Sequence, residues 1–266
     1  MTTDQLRVGT KLRECASGVV FLVAEQQAGS TVLVADEVVM LGCFDAPEVR
    51  HEDWQRRLTG WNNYRRSNVH QWLNADGYGW YVPAHEFDEP PTEEVLAARE
   101  TVYDPVGHNA YAHKCGFLGW FGRTFREAVL PTEVSVTSDD GQRIETLTAR
   151  AWLPSAAELG LRTHDPLSEG HALPLFRDFR MRYASPSRAC LLDSQWQPAH
   201  FGPKNVVWYW LRTPNAGNPG FVYYKHYTNP YSYKFAASPW MGIRPVLRVA
   251  PLQAEQSNAD GMWIIV

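Results

Sequence analysis

With 266 residues, 44% hydrophobic and 13% aromatic, the chain has enough apolar material for a large core in one big domain or two small ones, which excludes a disordered or fibrous protein. No run of about 18 apolar residues is available to span a bilayer, and the polar start MTTDQLRVGTKLREC lacks the apolar stretch of a secretory signal, so a cytoplasmic protein, or one built into a particle, is expected. The net charge of −4 is unevenly spread: Gln195 to Ala254 contains no Asp or Glu, yet carries Lys204, Arg212, Lys225, Lys234, Arg244 and Arg248.

Taken in chain order, SGVVFLVAEQ and STVLVADEVVML are β-branched runs on either side of QAGS and predict an antiparallel hairpin. Ser67 to Asn74 offers an N-cap followed by Val69, Trp72 and Leu73 at helical spacing, with Gly77 beyond, and predicts a short amphipathic helix buried through Trp72. PPTEEVLAARE sets Pro91 and Thr92 ahead of two acids and a good helix-forming run, which predicts a second helix. A third is expected in GFLGWFGRTFREAVL, where Phe117, Phe121 and Phe125 share one face, although its glycines weaken it. TEVSVT and IETLTARAWL predict strands around a turn at SDDGQ. Ser155 and Glu158 in SAAELGL form a capping box for one more short helix.

After HDPLSEGHALPLF the sequence is irregular and rich in Pro, Arg and Trp, and its aromatic content argues for ordered loops. Short strands follow in VVWYWLR, GFVYYKHY, YSYKFAA, GIRPVLRV and GMWIIV. No repeat of solenoid or propeller period occurs and no Ser/Gly linker divides the chain, so residues 1–266 read as a single α+β domain with short strands, few helices and long ordered loops.

Candidate chemistry is sparse. Phosphate-loop, dinucleotide-binding, zinc-protease and nucleophile-elbow signatures are all missing from the sequence. Cys15, Cys43, Cys115 and Cys190 are far apart and read as reduced core residues. His108, His113 and Cys115 lie close together but match no zinc spacing, so they read as loop and helix-entry residues, and no metal is expected. The carboxylates of HEFDEPPTEE read as a solvated acidic loop. The acid-free span excludes a carboxylate-built calcium site within it. It fits either a strand-rich region whose acids lie elsewhere or a surface for an anionic or neutral polar ligand.

Four short motifs recur in a fixed order: GWNNYRRSNVHQWLN, AWLPSAAELGL, WYWLRTP and GIRPVL. On these, the stretch from about Val8 to Val249 resembles a bacterial and phage domain of unknown function. That domain looks like a relative of the C-type-lectin fold, also used by formylglycine-generating enzymes and by the variable proteins of diversity-generating retroelements. The resemblance implies a rigid scaffold that displays a rewritable patch between the last two motifs, in a phage- or prophage-associated protein of the cytoplasm or the virion. Residues 205–249 are then the candidate variable segment.

That interval contains GFVYYKHYTNPYSYKFAASPW, which holds five of the chain's 12 tyrosines. Tyr combines a large flat contact with a hydroxyl and only two torsions to freeze, which is why adaptive binding loops favour it together with Ser, Asn and Gly. The candidate contacts are Asn215, Asn218, Tyr223, Tyr224, His226, Tyr227, Asn229, Tyr231, Ser232 and Tyr233. Lys225, Lys234 and Trp240 are assigned to scaffold, because adenine-directed rewriting does not readily yield them. Strand alternation requires a share of these tyrosines to be packing. Arg212 and Arg244 read as buried structural residues, and Trp72, Trp152, Trp208 and Trp210 as core.

The expected function is non-enzymatic recognition of a protein or glycan, such as a cell-surface receptor, with no cofactor and with self-association left open. Two alternatives are weighed. A formylglycine-generating type of enzyme needs reactive cysteines in the C-terminal core, and none follows Cys190. A binder of nucleic acid or another anionic polymer would use the acid-free segment, against an isoelectric point near 6.1 and the lack of a recognised module.

Overall fold

Two-residue periodicity in the first β-branched runs produces the expected hairpin. In the computed structural model β1 (Lys11–Glu14) pairs with β2 (Val20–Gln27), and β2 pairs antiparallel with β3 (Ser30–Ala35). Gly29 takes the left-handed turn position at φ 70°, which an L side chain would resist. The structure describes residues 1–47, 51–78, 115–138, 141–163, 167–192, 206–257 and 261–265.

Further strands are β4 (Met40–Gly42), β5 (Thr132–Thr137), β6 (Ile144–Ala149), β7 (Ala151–Trp152), β8 (Tyr209–Pro214), β9 (Phe221–Lys225), β10 (Ser232–Phe235), β11 (Met241–Ile243), β12 (Val246–Val249), β13 (Ala254–Gln256) and β14 (Trp263–Ile265). They form a seven-stranded sheet in the order β13-β14-β1-β2-β3-β12-β7, a five-stranded sheet in the order β10-β9-β8-β11-β4, and the hairpin β5-β6. With few and short helices among the described residues, the fold is mixed α+β.

The run STVLVADEVVML is not one strand. β3 pairs antiparallel with β12 in the large sheet, and β4 pairs antiparallel with β11 in the smaller one. One two-stranded ribbon therefore leaves one sheet and enters the other, bending at Asp36–Val39 and at Arg244–Pro245. The Arg244 guanidinium fills the bend. It is 1% exposed, donates from Nε to Ala35 O at 2.8 Å and from Nη1 to Met181 O at 2.8 Å, and lies against the rings of Phe176 and Tyr209. Desolvating this cation is tolerable because carbonyl oxygens and ring faces replace its water.

The AWLPSAAELGL and WYWLRTP motifs meet at a second buried cation. Arg212, 0% exposed, donates Nε to Ser135 O, Nη1 to Leu153 O and Glu158 Oε2, and Nη2 to Glu158 Oε1 and Glu169 O. All five guanidinium hydrogens are thereby matched. Glu158 also accepts from Ser155 N and Ser155 Oγ accepts from Glu158 N, so the capping box forms. The expected helix does not: residues 156–160 form a turn, because Glu158 is drawn to Arg212 and Gly160 leaves at φ 65°.

The helix Asn68–Asn74 (α1) forms as predicted, with the Ser67 side chain accepting from His70 N. Asn74 ties it to β7 by donating to Ala151 O while accepting from Arg150 N and Ala151 N. Tyr64 Oη accepts from Leu153 N, and Trp210 Nε1 donates to Gly42 O. Each motif thus uses its polar atoms inside the scaffold.

Three other expectations are corrected. GFLGWFGRTFREAVL breaks into a 3-10 turn, Phe117–Trp120, and the helix Arg123–Ala128, since Gly122 caps the second piece through Glu14 Oε1. Phe117, Phe121 and Phe125 still pack in series, at centroid spacings of 4.9 Å. IETLTARAWL is divided between β6 and β7, which belong to different sheets. Of the cysteines, Cys43 and Cys190 are buried, but Cys115 is half-buried and Cys15 is exposed. The expected PPTEEVLAARE helix, with His108 and His113, lies outside the described residues.

Candidate functional site

β9 and β10 form a hairpin at the edge of the smaller sheet, with Tyr224 opposite Ser232, Tyr223 opposite Tyr233, Val222 opposite Lys234 and Phe221 opposite Phe235. Alternation sends these pairs to opposite faces. One face carries Phe221, Tyr223, Tyr233 and Phe235, with Tyr231 5.1 Å from Tyr223 and nearly perpendicular to it. Tyr233 is 54% exposed, whereas Tyr223, flanked by Tyr231 and Tyr233, is 3% exposed.

The other face leads from Tyr224 to Trp208, just ahead of β8. Trp208, His226 and Tyr227 are half-buried and nearly parallel, at centroid distances of 4.9 Å (Trp208–His226), 4.5 Å (His226–Tyr227) and 5.9 Å (Trp208–Tyr227). These spacings describe a triangle, since a column would hold its outer rings about twice as far apart as neighbours. Trp240, 5.9 Å from Trp208, extends the cluster, and the Lys234 ammonium lies over the Trp240 ring. Thr228, Asn229 and Pro230 are exposed beside it.

His226 is fixed by its own loop. Its Nδ1 accepts from Thr228 N at 3.1 Å and Asn229 N at 3.3 Å, with Thr228 Oγ1 at 3.0 Å. Backbone N–H groups can only donate, so Nδ1 is unprotonated and the ring proton sits on Nε2. Burial first, and then the Lys225 charge, lower the His226 pKa and favour this neutral form. Beneath the loop, Lys225 Nζ donates to the carbonyls of His226 and Asn229 and lies 4.3 Å from the Tyr183 ring centroid. Burial, with Arg182 nearby, pulls the Lys225 pKa down to about 8.

Asn215 and Asn218 lie at the opposite end of β9. Asn62 Nδ2 holds their loop through the carbonyls of Asn215, Asn218 and Phe221. A cleft of about 250 Å³ opens there between Trp61, Asn62, Ser138, Pro214, Ala216 and Pro219. Among the described residues no cluster of His, Cys, Asp or Glu could hold a metal ion, and no helix is long and apolar enough to cross a membrane.

A family model described as a domain of unknown function, DUF6273, matches residues 28–251. The chain belongs to this family. No curated protein and no solved structure matches it.

The DUF6273 match takes in the two buried arginines, the ribbon and the whole edge hairpin. Within it the ten residues expected to contact a ligand fall into three places. His226, Tyr227, Asn229, Tyr231, Ser232 and Tyr233 are at the surface of the edge hairpin and its loop. Asn215 and Asn218 are also accessible, but beside the separate cleft. Tyr223 and Tyr224 are corrected: both are buried, the first between neighbouring rings and the second, 7% exposed, against Trp208. Burial raises the Tyr224 phenol pKa, opposed by its hydrogen bond with Ser232.

Trp208 is corrected the other way, from core to a half-buried member of the aromatic triangle. VVWYWLR reads as one strand from its first residue, whereas β8 begins at Tyr209, and Trp208 keeps only its carbonyl in the ladder, accepting from Gly242 N at 2.8 Å. Trp61 and Asn62 in GWNN were not singled out, although an Asn pair next to Trp is a composition that suits a loop clamp. Of the cations of the acid-free span, Arg212, Lys225 and Arg244 are buried, and Lys234 and Arg248 are half-buried.

Proposed function

We propose that this DUF6273 domain is a non-enzymatic recognition protein of C-type-lectin-like fold, associated with a phage or prophage, whose edge-hairpin face contacts a ligand. One observation carries the reading: motif side chains are consumed in scaffold hydrogen bonds, while half-exposed aromatic and polar side chains gather around β9, β10 and the loop between them. A face built this way changes without loss of the fold, which is what a diversified variable protein needs. The diversified set is then Tyr227, Asn229, Tyr231, Ser232 and Tyr233, with the buried Tyr223 and Tyr224 held constant. With Arg212, Lys225 and Arg244 buried, the described part of the acid-free span brings only Lys234 and Arg248 toward its surface, which disfavours binding of nucleic acid through that span.

Binding to whole bacterial cells and to their purified envelope glycans and proteins tests recognition. Wild type is expected to bind, and a Trp208→Ala/Tyr227→Ala variant with an unchanged thermal transition is expected not to. Equal binding by the two proteins overturns the assignment of this face. Diversification is tested in the flanking DNA, where a reverse-transcriptase gene and a near-repeat of the codons for Trp208 to Val249, differing at adenines, are expected. Their absence reduces the protein to a binder of fixed specificity.

A further inference from the structure

We infer that the ligand of the Trp208 face is a neutral saccharide, one pyranose ring lying on the Trp208–Tyr227 surface with a hydroxyl accepting the hydrogen on His226 Nε2. The inference rests on the recognition reading above and adds the ligand class.

Size comes first. The aromatic residues of the hairpin are divided between its two faces, Tyr233 on one and Trp208 with Tyr227 on the other. A single flat protein partner cannot cover both sides of a two-stranded ribbon, and a standard protein interface needs about 800 Å² from each side. Near-parallel rings with centroids 4.5 to 5.9 Å apart overlap in offset stacks, so the cluster is compact and suits one small ring better than an extended partner.

Chemistry comes second. The near-parallel faces of Trp208 and Tyr227, 11° apart, suit the C–H face of a pyranose, which is apolar although its edge is polar. Edge groups are supplied: His226 Nε2–H makes no hydrogen bond among the described residues, and Thr228 and Asn229 are exposed alongside. Charge comes third. Lys225 Nζ is committed to two carbonyls and Lys234 lies on Trp240, so among the described residues neither lysine of the hairpin is left for a phosphate or a carboxylate, and no carboxylate occurs from Gln195 to Ala254 to meet a cation.

His226 also makes the interaction pH-sensitive. The groups facing it are Lys225 and Tyr224 from β9, Trp208, and Tyr227 in its own loop, while Arg182 and Tyr183 face Lys225 from behind. A proton added to Nδ1 would confront the amides of Thr228 and Asn229, donor against donor. The loop would have to rearrange, and the saccharide would be released.

The test applies the whole chain to arrayed neutral hexopyranose-terminated oligosaccharides, with peptides and single-stranded oligonucleotides as the other probes. The best sugar is then titrated in solution at about pH 8 and about pH 5. At least one sugar is expected to bind, with roughly tenfold or greater weakening by Trp208→Ala and by Tyr227→Ala, in line with stacking losses at aromatic platforms. His226→Asn retains an acceptor near Nδ1 and removes the Nε2 donor, so it weakens binding while the loop amides keep their exchange protection. Trp61→Ala, in the separate cleft, changes nothing. Should Trp208→Ala fail to fold, Trp208→Phe replaces it, with a smaller loss expected. Sugar binding indifferent to Trp208 and Tyr227, or undiminished in His226→Asn, overturns the inference. Trp208-dependent binding of a peptide or an oligonucleotide with no sugar bound overturns it and leaves the recognition reading standing. If no probe binds through this face, both fall.

Discussion

Arg212 and Glu158 form a two-bond ion pair inside the protein, Nη1 to Oε2 at 2.7 Å and Nη2 to Oε1 at 2.9 Å, joining the Trp-Leu-Arg strand to the Leu-Pro-Ser turn. A buried pair stabilises little compared with a well-packed apolar one, but losing one partner strands the other charge. Glu158→Ala is therefore expected to cost about 3–5 kcal/mol, read as a lower urea midpoint at unchanged slope. A loss below about 1 kcal/mol, the range of an exposed pair, would show that the pair is open to water.

The tyrosines of the edge hairpin separate by burial. Tyr223→Ala removes a ring packed between Tyr231 and Tyr233, with an expected loss of about 3–5 kcal/mol, as for other large core rings. Tyr233→Ala is expected to cost less than about 1 kcal/mol. Equal losses at the two positions, measured by denaturant titration, would contradict the difference between a packed inner strand, β9, and a displayed edge strand, β10.

His70 lies 5.1 Å from the Tyr64 ring, with its Nδ1 facing Asn74 Nδ2 at 3.1 Å. Burial, with help from Arg65, pulls its pKa down to about 4 from the ordinary 6.5. The folded state therefore holds the neutral ring, and unfolding takes up a proton between those values. Stability from this group is full above about pH 6.5 and lost as pH falls toward 4. His70→Gln should flatten that part of the pH–stability curve, as thermal unfolding across the window would reveal.

Gly242, in the Gly-Ile-Arg-Pro strand, allows β11 to approach β8. A Cβ there would meet Trp208 O at 2.7 Å and the two methyls of Val38 at 2.9 and 3.0 Å. Gly242→Ala should cost about 1–3 kcal/mol, as overpacked cores do. Because the collision is with Trp208's own carbonyl, ligand binding should weaken as well. Unchanged binding in a destabilised variant would separate the aromatic triangle from the strand beneath it.

Much of the scaffold was legible because periodicity and capping are local. The first hairpin, the Ser67-capped helix and the hairpin of β9 and β10 follow from residues a few positions apart, whereas GIRPVLRV, expected as one strand, is divided between β11 and β12 in different sheets. What escaped was decided at long range. STVLVADEVVML carries no mark of the sheet change, which depends on its partner some 200 residues later. Glu158 looks like an ordinary capping acid until Arg212 is brought to it. The candidate face was found by composition alone, and composition cannot tell Tyr223 from Tyr233. Alternation does not settle it either, because the register pairs the two on one face; what separates them is that Tyr223 lies on the inner strand β9 and Tyr233 on the edge strand β10. Trp208 was passed over because its size suggested the interior, whereas its place just ahead of β8 leaves it half in water.

The ribbon that passes from one sheet to the other also governs how this domain can come apart. Its two strands belong to both sheets, so opening either sheet beyond the Arg244 bend pulls on the other, and no break in the chain divides them into halves that could fold separately. Hydrogen exchange of the core amides should accordingly report one shared opening event, with Val34 and Ile243 protected to the same degree. A lineage built on such a knot of strands cannot exchange sheets piecemeal, and the edge hairpin is where it remains free to experiment.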